Sequence, residues 1–211
     1  MQNITNIYST LYAHYGEPHW WPAKTPYEMM AGAILTQNTA WSNVEKAIAN
    51  FGENLTPEFI ETVQIENLID IIRPSGFFNQ KSLRLKSLTD WYKRYNYDII
   101  QARQQNCGDL RAQLLNINGV GRETADSILV YALEKTSFVV DAYTRRILSR
   151  VGYDLPKDYD DLRCMIEQNI RRDLDIYNRF HALIVVHAKE YCKAKAVCDG
   201  CVLAEVCGKI L

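Results

Sequence analysis

Apolar residues recur at helical spacing along this chain, and that period constrains its fold more than any other feature. Tyr27, Met30, Ala31, Ile34 and Leu35 fall at i, i+3, i+4, i+7 and i+8, one face of a helix. Ala125, Ile128, Leu129 and Ala132 repeat the pattern over a shorter span, and Ile176, Phe180, Leu183 and Ile184 form a third stripe. The alternation of a strand is hard to find; Phe138-Val139-Val140 is apolar and partly β-branched, but brief. Pro26, Pro57 and Pro156 suit the first turn of a helix, where the missing N–H costs nothing. The fold class expected is all-α, built from many short helices, with no repeat or low-complexity linker to mark a boundary.

With 211 residues the chain can form one sizeable core or two small ones. No apolar run approaches the roughly 18 residues of a membrane span, so no membrane association is expected. Met1 to Leu11 is polar and helix-like, without a basic stretch followed by an apolar one; a secretory leader is not expected, and a cytoplasmic location is. The net charge is −1 and the pI about 6.4, against the basic surplus of a strong non-specific nucleic-acid binder. Any contact with phosphate must come from a local site.

Four of the six cysteines, Cys192, Cys198, Cys201 and Cys207, follow the spacing C-x5-C-x2-C-x5-C. A reducing compartment disfavours two disulfides there, whereas four thiolates on a short loop can close around one metal centre. Structural zinc commonly uses paired C-x2-C knuckles, and only one such pair is present. The wider arms favour a bulkier 4Fe–4S cluster over zinc. Cys107 and Cys164 stand alone and read as core residues. Lys193 and Lys195, between the first two candidate ligands, are ordinary solvated lysines or a small basic surface for phosphate.

Residues 114–125 read LLNINGVGRETA, with Gly119 and Gly121 around Val120 between two helical patterns. Glycine allows positive φ and close backbone approach, and the amides that open the next helix can hold a phosphate without side-chain charge. A G-x-G turn alone is weak, since many helix hairpins use it only to turn. Further on, Phe138-Val139-Val140-Asp141 sets a carboxylate before a helix expected to begin near Ala142. Asp141 reads as an N-cap, a role that also orients a carboxylate for chemistry.

Taken together, Ile34-Leu35-Thr36-Gln37-Asn38-Thr39, the NGVGRETA hairpin, the VVDAYTRR segment and the four-cysteine loop resemble the helix-hairpin-helix DNA glycosylase superfamily, the endonuclease III relatives. The four motifs span nearly the whole chain in the right order. The resemblance implies two helical domains with a cleft between them: a barrel over residues 23–133, and a second domain from 1–22 and 134–211 carrying the cluster. It implies a base excision enzyme acting on double-stranded DNA with a damaged base, as a monomer. Asp141 would be the catalytic carboxylate, and Gln37 would fill the gap left by the flipped base. Asn118, Gly119, Val120, Gly121, Arg122 and Thr124 would grip phosphate, joined by Lys193 and Lys195.

Two departures bear on the chemistry. Members that also cleave the strand carry a lysine two residues after the second glycine, where this chain has Glu123. A carboxylate cannot form the Schiff base that begins strand cleavage, so a monofunctional glycosylase without lyase activity is expected. Trp20, Trp21 and Pro22, with Trp41, read in isolation as core, yet the pair followed by proline resembles the 3-methyladenine branch. Aromatic faces attract cationic rings, by about 2 kcal/mol when desolvated. These residues, with Glu123 beside the base, are the expected substrate contacts. Asn118 stands where a proline is common, and the first cysteine gap is one residue shorter than in endonuclease III. The alternatives are an endonuclease III-like enzyme for oxidised or mismatched bases, with the tryptophans in the core, and a non-catalytic iron–sulfur DNA-binding protein.

Overall fold

A computed structural model describes residues 3–18 and 20–209, and their contacts divide the chain into two compact units. One is continuous, Trp21–Lys135; the other joins Met1–Trp20 to Thr136–Leu211. Among the described residues all regular structure is helical.

The continuous unit begins with α2 (Pro26–Leu35), which follows α1 (Ile4–Tyr15) of the other unit in chain order. Thr25 caps it by accepting from the Glu28 amide at 3.0 Å, with Pro26 in the first turn. The sequence stripe suggests one buried face, but Tyr27 to Leu35 are buried all round. A helix without a polar face belongs at the centre of its unit. Around it lie α3 (Trp41–Phe51), α4 (Pro57–Thr62), α5 (Ile65–Ile72), a 3-10 turn (Arg73–Ser75), α6 (Phe78–Lys93), α7 (Ile99–Arg103), α8 (Cys107–Leu115) and α9 (Arg122–Tyr131). Met30, Ile34, Val44, Leu68, Leu85, Leu114 and Ile128 are fully buried in its core. Asp126, also fully buried, accepts from Arg111 Nε and Nη2 at 2.8 and 3.1 Å, which clamps α8 to α9 and fixes the hairpin between them.

The other unit packs α1 (Ile4–Tyr15) and α10 (Ala142–Val151) on α12 (Leu174–Glu190), with α11 (Tyr159–Gln168) closing its core. Phe138 to Val140 is buried extended backbone rather than a strand; the Phe138 amide donates to Glu167 and that of Val140 to the Tyr159 hydroxyl. Two sequence expectations fail here. Pro156 lies in the loop before α11, whose N-cap is Asp158, so it opens no helix. Cys164 is exposed on α11 while Leu162 and Ile166 hold the buried face, so it is not a core residue.

Candidate active site

The hairpin is built by helix ends. After α8, the Ile117 amide donates to the Leu114 carbonyl and that of Val120 to Ile117, each at 3.0 Å, which tightens the turn. Val120 is buried; Asn118, Gly121 and Arg122 are exposed. Gly119 has φ +82°, and a Cβ there would lie 2.1 Å from Arg84 Nε, so both conformation and space call for glycine. Gly121 is the N-cap of α9 and makes no side-chain cap bond to its first amides. Gln37, just beyond α2, sits on this hairpin: its amide nitrogen donates to the Gly119 carbonyl and to Thr124 Oγ1, both at 3.0 Å, and its oxygen accepts from Arg84 at 2.5 Å.

In the other unit Asp141 caps α10. One carboxylate oxygen accepts from the Thr144 amide at 2.7 Å and the Thr144 hydroxyl at 2.9 Å; the other faces His181 Nε2 at 3.4 Å. Burial pushes its carboxyl up, but His181 and the two Thr144 bonds outweigh burial and hold it below the usual carboxylate value. Asp141 is therefore charged at neutral pH although only 9% exposed. Trp20 meets His181 edge to face, with ring centroids 6.0 Å apart.

Cys192, Cys198, Cys201 and Cys207 line one cavity, walled by Ile147, Val151 and Leu203. Arg150 donates to Cys192 Sγ at 3.3 Å and to the carbonyls of Lys193 and Ala194; Arg146 donates to that of Cys192. The Lys209 amide donates to Cys207 Sγ at 3.3 Å. Two arginines of α10 thus lash the loop to the unit's core. Burial pushes the Cys201 thiol up, and the other three cysteines add to this. Among the described residues no three His, Cys, Asp or Glu side chains form a group that could hold a metal ion. The four sulfurs line one cavity, with N–H donors directed at two of them, and four thiolates are the donor set that an iron–sulfur cluster takes.

Residues 31–172 match the profile of the HhH-GPD superfamily of base excision DNA repair proteins. The chain belongs to that superfamily. It is a DNA repair glycosylase. A Methanocaldococcus jannaschii protein named as a DNA repair glycosylase is 50% identical over 210 residues, covering 97% of this chain and 95% of that one. Endonuclease III of Sulfolobus acidocaldarius is 29% identical, over 86% of this chain and 81% of its own. The crystal structure of Helicobacter pylori 3-methyladenine DNA glycosylase (MagIII) bound to 1,N6-ethenoadenine superposes with a TM-score of 0.80 at 30% identity, covering 90% of this chain and 98% of that one.

The glycosylase separates its two adjacent tryptophans. Trp21 stacks on Tyr131 at 5.4 Å and meets Trp41 edge to face at 5.6 Å, while Trp41 Nε1 donates to Glu45. Trp20 belongs to the other unit, beside His181, with Lys189 over its ring. Pro22 and Glu123 are exposed, Glu123 in the first turn of α9. Lys193 and Lys195 are exposed on the cysteine loop. Three residues of interest carried no motif. His181 lies in the stripe of α12, and nothing local links it to Asp141. Arg84 reads as a surface arginine until its contacts with Gln37 and Gly119 are known. Phe77 is 61% exposed with φ +48°, an apolar ring held out by a left-handed turn.

Proposed function

We propose that this glycosylase is monofunctional and releases cationic N-alkylated purines, with 3-methyladenine as the type substrate. The observation that carries the reading is Glu123, an exposed carboxylate in the first turn of α9 where lyase members present an amine. Without that amine, water is the nucleophile, and the departing base must be a good leaving group. An alkylated purine is one already, because it leaves as a neutral molecule. The Trp21–Trp41–Tyr131 cluster supports the choice, since a cationic ring gains more from aromatic faces than a neutral one. So does the likeness to MagIII, a 3-methyladenine glycosylase by name.

In this reading Asp141 stabilises the oxocarbenium-like sugar and orients water, with His181 and Thr144 holding its carboxylate in place. The amides after Gly119 and Gly121 take phosphate, helped by Asn118, Arg122 and Thr124 and by Lys193 and Lys195. Gln37 leaves the hairpin to fill the gap of the flipped base, and Phe77 is an apolar wedge of the kind that parts base steps. Cys192, Cys198, Cys201 and Cys207 would hold a 4Fe–4S cluster, whose iron–sulfur bonds would cross-link the loop that presents the two lysines.

The test is incubation with duplexes carrying 3-methyladenine or thymine glycol, measuring free base and strand integrity. Methylated purine released from an unbroken strand is expected. Thymine glycol release alone would move the enzyme to the oxidised-base reading, and a borohydride-trapped adduct would end the monofunctional one.

A further inference from the structure

Lys81 is a fully buried lysine whose ammonium donates to the carbonyls of Leu35 and Ser75, each at 2.7 Å. Leu35 is the last residue of α2 and Ser75 the last of the 3-10 turn. Carbonyls at helix C-termini lack intrahelical partners and carry partial negative charge, so one cation serves two such ends. The two oxygens lie no further apart than twice the hydrogen-bond length. Burial, with a smaller contribution from Arg84, lowers the lysine to about 8, which still leaves it charged at neutral pH.

Each of these carbonyls stands two residues before a side chain assigned to the duplex: Gln37 comes after Leu35, and Phe77 after Ser75. The Lys81 amide also donates to the Phe77 carbonyl at 3.0 Å, the bond that starts α6. One turn later on α6, Arg84 holds the Gln37 side chain and fills the space beside Gly119. We propose that Lys81 is a positioning residue that sets the backbone at Gln37 and at Phe77 at a fixed mutual distance, so that the two side chains insert into the duplex as one unit. The proposal rests on the reading that these two side chains enter DNA. It explains a buried cation that takes no part in base removal.

The test is a double-mutant cycle of Gln37→Ala and Phe77→Ala in wild-type and Lys81→Met backgrounds. It is read by fluorescence of 2-aminopurine placed beside an abasic-site analogue, so the result does not depend on which base is excised. Duplex affinity by anisotropy and folding by circular dichroism are followed in parallel. In the wild type the two losses should be non-additive; with Lys81→Met they should become additive, with duplex affinity within about threefold, because the hairpin contacts lie elsewhere. Single-turnover excision should fall about 100-fold, the scale of an ångström-sized misplacement. If Lys81→Met fails to fold, Lys81→Gln, which keeps a donor for one carbonyl, takes its place in the cycle. Coupling that survives loss of the lysine would overturn this proposal alone. Fluorescence unchanged by either alanine would instead overturn the insertion reading beneath it.

Discussion

Replacing Asp141 by asparagine separates its helix-capping role from the chemical one proposed for it. The amide oxygen can keep both Thr144 bonds at the N-cap, and asparagine caps a helix about as well as aspartate, so the cap itself should lose only a few tenths of a kcal/mol. What disappears is the negative charge. A carboxylate about 4 Å from a developing sugar cation, at an effective dielectric near 20, contributes about 4 kcal/mol. That corresponds to about three decades in rate. Single-turnover excision from a methylated duplex should therefore fall about 1,000-fold, with duplex affinity little changed and the urea-unfolding midpoint lowered only by the stability that the ionised carboxyl contributes at neutral pH. The acid limb of the pH–rate profile should lie below the ordinary carboxylate range, since the folded carboxyl is held down. The linkage to stability has the same sign: the contribution is present above the unfolded value of about 3.9 and is lost as pH falls through the lower folded value. An excision rate within about tenfold of wild type would refute the reasoning and place the essential charge elsewhere.

The hairpin and the cysteine loop give two more expected outcomes. Gly119→Ala puts a Cβ into positive φ and against Arg84, and should cost about 1–2 kcal/mol of stability together with duplex affinity; an unchanged thermal midpoint and Kd would disprove the tight fit. Anaerobically purified protein should contain iron and sulfide and absorb broadly in the visible, and Cys201→Ser should reduce both; zinc with no iron would exclude the cluster.

Local chemistry was legible where it carries its own signal. Pro26 and Pro57 open helices, Asp141 ends the extended run before α10, and the glycines turn between α8 and α9, because each acts within a few residues of itself. Pro156 misled because a proline suits a loop as well as a first turn. Cys164 misled because a free thiol, usually buried, can also occupy the outer face of an amphipathic helix. The stripe on α2 showed a helix but understated its burial, which depends on what the rest of the unit wraps around it. Lys81, Arg84 and His181 left no trace of their partners. Lys81 reaches back 46 residues and Arg84 47, and no local period encodes a contact at that range. Composition, in turn, said little about the site. The formal charge of −1 is a sum that does not say where charge sits, and several carboxylates are engaged locally: Asp126 with Arg111 in the core, Glu167 with Arg163 and Glu17 with Arg179 nearer the surface, and Asp158 and Asp173 as helix caps.

That engagement leads to a last prediction, on salt. Phosphate held, as proposed, by backbone amides at the start of α9 would be bound by neutral donors and a helix dipole, whereas counterion release tracks the cations brought to the DNA. The exposed basic residues assigned to contact are Arg122, Lys193 and Lys195. With three phosphates neutralised, the slope of log affinity against log salt should be about −3, far shallower than the slope near −10 of a strongly basic repressor. Lys193→Gln with Lys195→Gln should flatten it by about 2 while leaving excision at saturating protein nearly unchanged, because neither lysine touches the base. Titrations by anisotropy from about 50 to 200 mM salt, a range chosen because such slopes resolve clearly within it, make the measurement. A slope beyond about −6 would mean that a basic surface outside these residues dominates binding, and that the hairpin amides are not the principal grip on phosphate.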